Sequence, residues 1–121
     1  MKRALLLVDH GSRRPEANAQ LEALAERVRE RLPERLVAVA HMELAQPSIA
    51  DAVEACVAAG AEEIVVHPYF LGPGNHTRED IPRLVAEATT HHPGLRVRVT
   101  EPLGLHEKLV DVVIARVEET D

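Results

Sequence analysis

Aromatic residues are nearly missing from this 121-residue chain, which holds one Tyr, one Phe and no Trp. Its core must therefore be built from Leu, Val, Ile and Ala, and an aromatic platform for single-stranded nucleic acid is excluded. Basic charge is also short. With 14 Lys and Arg against 20 Asp and Glu, the formal net charge is −6. No basic field exists to displace counterions from a phosphate backbone, so nucleic acid is excluded as a partner. The single cysteine, Cys56, leaves no disulfide framework, and its place on a helical apolar stripe reads as a packed thiol. No apolar run approaches the ~20 residues of a membrane span. The N-terminal MKRALLLVDHGS sets two basic residues before an apolar stretch, but that stretch is only Ala4 to Val8, with no small-residue cleavage site behind it. It reads as a buried strand rather than a signal peptide, and a cytoplasmic protein is expected.

What is present is an ordinary globular composition, 45% hydrophobic and 28% charged. The length suits one domain over residues 1–121 and is too short for two. Ala4–Asp9 is a near-continuous apolar run, as in a parallel strand buried on both faces. Pro15 can open a helix in which Ala17, Leu21, Leu24, Ala25, Val28 and Leu32 recur at helical spacing, and Pro33 ends it. Leu36–His41 is the second strand. Ser48 is an N-cap for a stripe of Ile49, Ala52, Val53, Cys56 and Val57, which Gly60 terminates. Glu63–Phe70 holds the third strand. Asp80, alone or with Thr77, caps a helix whose stripe is Ile81, Leu84, Val85 and Ala88, with Pro82 tolerated in the first turn. Pro93-Gly94 marks a turn before a fourth strand, Leu95–Thr100. Leu105, Leu109, Val112, Val113 and Val117 give the closing helix.

Such alternation with short connections predicts an α/β fold, a three-layer parallel four-stranded sheet with helices on both faces. Right-handed crossovers and the commonest small topology give the flavodoxin-like strand order 2-1-3-4. That order sets the first and third strands side by side and opens a crevice at their carboxyl ends. Two histidines fall in the flanking loops, His10 in LLLVDHGSRRP and His76 in VVHPYFLGPGNHTREDIP. Paired neutral imidazoles at a sheet edge suit a divalent metal or proton transfer.

Other chemistries fail on the same residues. Asp9-His10-Gly11-Ser12 holds the letters of a hydrolase triad, but consecutive residues leaving a strand point to opposite sides. A histidine phosphatase would carry Arg where this chain has Asp9. No Gly-Lys-Ser/Thr follows the glycines of LGPGNH, which argues against a P-loop. Gly11 and Ser12 instead predict a tight turn that brings backbone N–H groups near a ligand. Tyr69-Phe70-Leu71 is an apolar wall before Gly72, Pro73, Gly74 and Asn75, and suits a flat ligand.

Glu43 and Gln46 follow the second strand and can reach the same edge. Glu43 is there either a proton acceptor or metal ligand, or a solvated loop carboxylate. Arg13, Arg14 and Arg78 are the cations of these loops and match a polyacid, with helix-surface arginine as the alternative. His41 ends the second strand, behind the site. His67 reads as packed or edge-exposed, and His91, His92 and His106 as solvent-exposed.

Three segments, VDHGSRRPEAN, HMELAQPSI and above all VVHPYFLGPGNHTREDIPRL, resemble in order and spacing the sirohydrochlorin chelatases of the short CbiX type. The resemblance covers most of the chain, is strongest over residues 4–84, and implies the class II chelatase fold. It implies ATP-independent insertion of a divalent metal into sirohydrochlorin, in cobalamin or sirohaem biosynthesis, with Co2+ first and Ni2+ or Fe2+ as alternatives. His10 would be the metal-binding and proton-accepting histidine, and His76 the second metal histidine. Glu43 would be an acidic site residue. Leu71, Gly72, Pro73, Gly74, Asn75 and His76 would lie against the macrocycle, with Ser12, Arg13 and Gln46 also at the substrate. The family often has Glu where this chain has Gln46, and an amide can bond a substrate carboxylate but is no acid–base group. No permanently bound cofactor is implied, because the metal is a substrate. Longer family members join two such domains in one chain, so a single copy implies a homodimer. The alternative is a non-catalytic protein that binds or delivers metal or tetrapyrrole, which Gln46 favours.

Overall fold

The structure, a computed structural model, describes residues 1–72, 74 and 79–121. Strands and helices alternate as β1 (Arg3–Asp9), α1 (Pro15–Arg31), β2 (Leu36–His41), α2 (Ile49–Ala58), β3 (Glu63–Pro68), α3 (Ile81–Ala88), β4 (Arg96–Val99) and α4 (Glu107–Thr120). The strands form one parallel sheet in the order β2-β1-β3-β4, as the alternation predicts. All four carboxyl ends therefore open on one edge.

Strand periodicity splits the aliphatic residues between two cores. Ala4, Leu6 and Val8 of β1 pack with Ile64 and Val66 of β3 beneath α2 and α3, against Ile49, Val53, Cys56, Ile81 and Val85. Leu7 faces the other way and packs with Val37 and Val39 of β2 on Leu21 and Ala25 of α1. Each fully buried Leu, Ile or Val contributes roughly 1.5–3 kcal/mol, so a core with almost no aromatics suffices for a chain this short. Burial of Cys56 pushes its thiol pKa up, as a packed thiol requires.

Helix limits follow the sequence signals in part. Pro15 opens α1, and the Ser48 hydroxyl accepts the Asp51 N–H at 3.1 Å to cap α2. Gly60, at φ +98°, ends α2 in the left-handed conformation that its missing Cβ allows. At α3 the expectation fails. Asp80 is itself helical (φ −72°, ψ −41°) and makes no side-chain cap bond, while its carboxylate lies 3.5 Å from Arg83. Thr77 lies outside the described residues. β3 ends two residues short of Phe70, because the Phe70 N–H turns back to the Pro68 carbonyl at 3.0 Å.

α4 departs furthest. Its apolar residues predict a helix that closes the sheet, yet it buries none of them. Val110, Val113, Ile114 and Val117 stand exposed. The connection after β4 is held to the sheet by the Leu103 N–H on the Phe70 carbonyl, and the His106 cap then starts the helix outward. Apolar periodicity records that a helix face is to be covered but not which surface covers it. On the α1 side a groove of about 530 Å³ is left open over β3 and β4, with Leu5, Leu32 and Val65 in its wall and Arg35 and Arg98 at its rim. Among the described residues, no helix is long and apolar enough to cross a membrane.

Candidate functional site

At the carboxyl edge, β1 and β2 stay joined beyond their regular ladder. Asp9 sits opposite His41 in the register. The Met42 N–H then donates to the Asp9 carbonyl at 2.8 Å, and the Glu43 N–H to the His10 carbonyl at 3.0 Å. The loop carrying Glu43 is thereby laid against the loop carrying His10. Gly11 permits this approach: at φ +87°, a Cβ there would meet the Glu43 carbonyl oxygen at 1.8 Å. Gly11 takes the left-handed conformation that glycine allows, but the chain there forms no hydrogen-bonded turn, and what the glycine admits is the Glu43 backbone rather than a ligand. Ser12 fastens the loop to α1. Its N–H donates to Asn18 Oδ1 (2.9 Å), its carbonyl accepts from Asn18 Nδ2 (2.7 Å), and its hydroxyl accepts the Arg14 N–H (3.0 Å).

His10 is exposed at the edge, with its ring edge-on to Phe70 at a centroid distance of 4.5 Å and an interplanar angle of 86°. The apolar wall expected of Tyr69-Phe70-Leu71 is divided between the two faces of the sheet. The Tyr69 N–H bonds to the Val8 carbonyl at 2.7 Å, which carries the β1–β3 pairing one residue further. Period-two alternation then sends Tyr69 to the α1 core and Phe70 to the opposite one, so Phe70 rather than Tyr69 flanks His10. Glu43, Gln46, Arg13, Leu71, Gly72 and Gly74 are exposed around this edge. The Gln46 side-chain oxygen accepts the Ser48 N–H at 3.2 Å. Pro73, Asn75, His76 and Arg78 lie outside the described residues, and with them the partner expected for His10.

Asp9 is the residue that sequence reasoning missed. Its carboxylate accepts from His41 Nδ1 at 2.6 Å, and His41 is only 3% exposed. A carboxylate can only accept, so Nδ1 carries the hydrogen. The available signal was parity: each residue ends an apolar strand on the face that packs against α1. Three other histidines, His67, His92 and His106, are engaged elsewhere. His67 is half-buried, its Nδ1 2.8 Å from the Thr100 hydroxyl. Burial lowers its pKa below the usual histidine value, an effect that a bond to the Glu101 backbone partly opposes. Expected to be exposed, His92 instead pairs with Glu54 between α2 and the end of α3. His106 is exposed as expected, but it also caps α4 by accepting the Lys108 N–H at 3.0 Å. Among the described residues, no group of three or more His, Cys, Asp or Glu side chains could hold a metal ion. At the edge itself, His10 and Glu43 are exposed groups of the kind that bind borderline divalent metals.

An all-parallel 2-1-3-4 sheet with an imidazole, a carboxylate and an aromatic ring at its carboxyl edge defines a small α/β protein with an open edge site. The CbiX family model matches residues 4–120, and the chain belongs to the CbiX family. It is 46% identical over 114 residues to the chloroplastic sirohydrochlorin ferrochelatase of Arabidopsis thaliana, covering 94% of this chain and 51% of that protein. It is 35% identical over 137 residues to the sirohydrochlorin cobaltochelatase of Methanocaldococcus jannaschii, covering 93% of this chain and 96% of that one. Among solved structures, SirB from Bacillus subtilis with Fe3+ superposes with a TM-score of 0.92 at 32% identity, over 99% of this chain and 48% of that chain. The chain thus spans about half the length of some relatives and nearly all of another.

Proposed function

We propose that this protein is a sirohydrochlorin metal chelatase, with residues 1–121 acting as one chelatase domain that needs no ATP. The bond from the Glu43 N–H to the His10 carbonyl carries this reading, because it holds a carboxylate-bearing and an imidazole-bearing loop together at one sheet edge. Metalation of a tetrapyrrole removes pyrrole N–H protons while the metal exchanges its own ligands. His10 holds the incoming metal and, once the metal has passed to the macrocycle, accepts one pyrrole proton; His76 is the second metal ligand, and Glu43 is the carboxylate that accepts the other proton. Phe70 keeps one side of His10 apolar. Leu71, Gly72, Pro73, Gly74 and Asn75 lie along the flat macrocycle, while Ser12, Arg13 and Gln46 meet its carboxylates. The names of the similar proteins support this substrate.

Co2+ is the metal proposed, and Fe2+ is its competitor, favoured by the ferrochelatase that is 46% identical. Anaerobic assays with purified protein, sirohydrochlorin and equal concentrations of Co2+, Fe2+ or Ni2+ decide, read by the change in macrocycle absorbance. Fastest turnover with Co2+ is expected, and a faster Fe2+ reaction reassigns the metal. Binding of sirohydrochlorin without metalation by any of the three would make the protein a carrier.

The partner proposed is a second copy of this chain, with α4 of each copy laid into the open groove of the other. The same chain carries an uncovered apolar helix face, at Val110, Val113, Ile114 and Val117, and an uncovered groove walled by Leu5, Leu32 and Val65. Charge agrees as well. Arg35 and Arg98 border the groove, and α4 is acidic on balance, with Glu107, Asp111, Glu118 and Glu119 against Lys108 and Arg116.

A further inference from the structure

The Asp9–His41 pair lies outside the chemistry assigned to His10 and Glu43, yet it stands directly behind both. Asp9 is the residue before His10, and His41 comes two residues before Glu43. Their side chains meet at 2.6 Å on the α1 face of the sheet, and His41 is almost wholly buried. His10 leaves the same strand toward the opposite face, where it meets Phe70. Neither Asp9 nor His41 therefore needs to touch substrate.

We infer that the Asp9–His41 bond is a positioning clamp that locks the Glu43 loop to the His10 loop and so sets where imidazole and carboxylate face a bound macrocycle. Three observations carry the inference. The side-chain bond lies at the last register pair of β1 and β2, where an apolar ladder would begin to fray. Beyond it the two chains continue in step through the Met42 and Glu43 N–H bonds to the Asp9 and His10 carbonyls. The β-carbon of His41 lies 3.0 Å from where a Cβ on Gly11 would be, so His41 also closes the space beside the residue that follows His10. A polar pair buried at a strand end fixes register more sharply than an apolar contact, because slippage would leave both groups unpaired.

The catalytic consequence rests on the chelatase reading, whereas the clamp itself does not. The test compares wild type with His41→Leu and His41→Asn. Leucine fills the space without a donor, and the asparagine Nδ2 falls close to where histidine Nδ1 lies. Backbone amide exchange of Glu43, followed by NMR, reads the clamp directly. Steady-state metalation of sirohydrochlorin by Co2+ or Fe2+, whichever the wild type uses, reads its effect.

His41→Leu is expected to raise Glu43 amide exchange at least ~10-fold while amides in the middle of β2 stay protected. It should also lower kcat by ~10- to 100-fold, the range for losing a group that orients a metal ligand, with KM changed less than about twofold. His41→Asn should restore both protection and most of kcat. Wild-type kcat in His41→Leu overturns the inference. So does a general loss of protection across β1 and β2, which would make His41 a fold element only. If His41→Leu fails to fold, His41→Asn decides alone, and a folded His41→Asn protein with an unprotected Glu43 amide overturns the clamp. A wild-type protein that metalates nothing removes the chelatase reading, while Glu43 exchange still decides whether the clamp exists.

Discussion

The carbonyl oxygen of Glu43 occupies the space in which Gly11 would carry a side chain, 1.8 Å from an ideal Cβ. Two loops distant in sequence thus share one van der Waals volume, and a hydrogen-bonded pair of loops follows. Glycine is required twice over at Gly11, by that contact and by its φ of +87°.

Gly11→Ala is therefore expected to cost at least about 1–2 kcal/mol from the left-handed backbone alone. Pushing the Glu43 loop outward should also lower metalation about tenfold or more. Urea denaturation and turnover measured on one preparation check both. Wild-type values in each would mean that the loops tolerate separation.

Replacing either proposed metal histidine should remove chemistry and spare the fold. His10→Ala and His76→Ala are each expected to lose about 10²- to 10⁴-fold in turnover, the span for a lost acid–base group. His10 is exposed but packs edge-on against Phe70, so its truncation should change stability by no more than about 1.5 kcal/mol. Near-normal turnover in either variant would end the paired-imidazole mechanism.

His67 makes stability depend on pH. Burial holds its folded pKa below the ordinary histidine value, so the unfolded chain takes up the proton first as pH falls. The native state's advantage is complete above that value and is lost as pH drops through it toward the lower folded pKa. A plot of urea midpoint against pH, from about 7.5 to 5, should be shallower for His67→Gln than for wild type. Parallel plots would show that another group sets the slope.

The uncovered face of α4 predicts an association that one charge should abolish. Val113→Glu places a carboxylate in the middle of the apolar stripe and should weaken the dimer at least ~30-fold, the effect of losing a contact worth about 2 kcal/mol. Light scattering coupled to size exclusion, across a dilution series, reads the dissociation. A wild-type protein that is monomeric at every concentration would contradict the exchanged-helix dimer, as would a Val113→Glu protein that dimerises normally.

Much of the architecture is legible in the sequence. The apolar run of β1, the helical spacing in α1 and the Ser48 cap each act within a few residues of themselves, so local chemistry reports them. The cap at Asp80 was not, because the carboxylate lies instead beside Arg83 a turn later. Nor was the split of Tyr69 from Phe70, since the pairing of Tyr69 with Val8 had to continue past the end of β3 to set their parity. The apolar stripe of α4 is legible in the sequence, but the surface that covers it is not.

Order of elements, a parallel sheet, two aliphatic cores and a histidine at the carboxyl edge were determined by the sequence itself. Periods of two and of about 3.6 leave few ways to bury these runs. Tertiary structure alone decided that Asp9 meets His41, that Glu43 is tied to His10, and that Phe70 rather than Tyr69 flanks the imidazole. Each depends on strand register, which is a relation between two segments. A shift of one residue would send every one of these side chains to the other face.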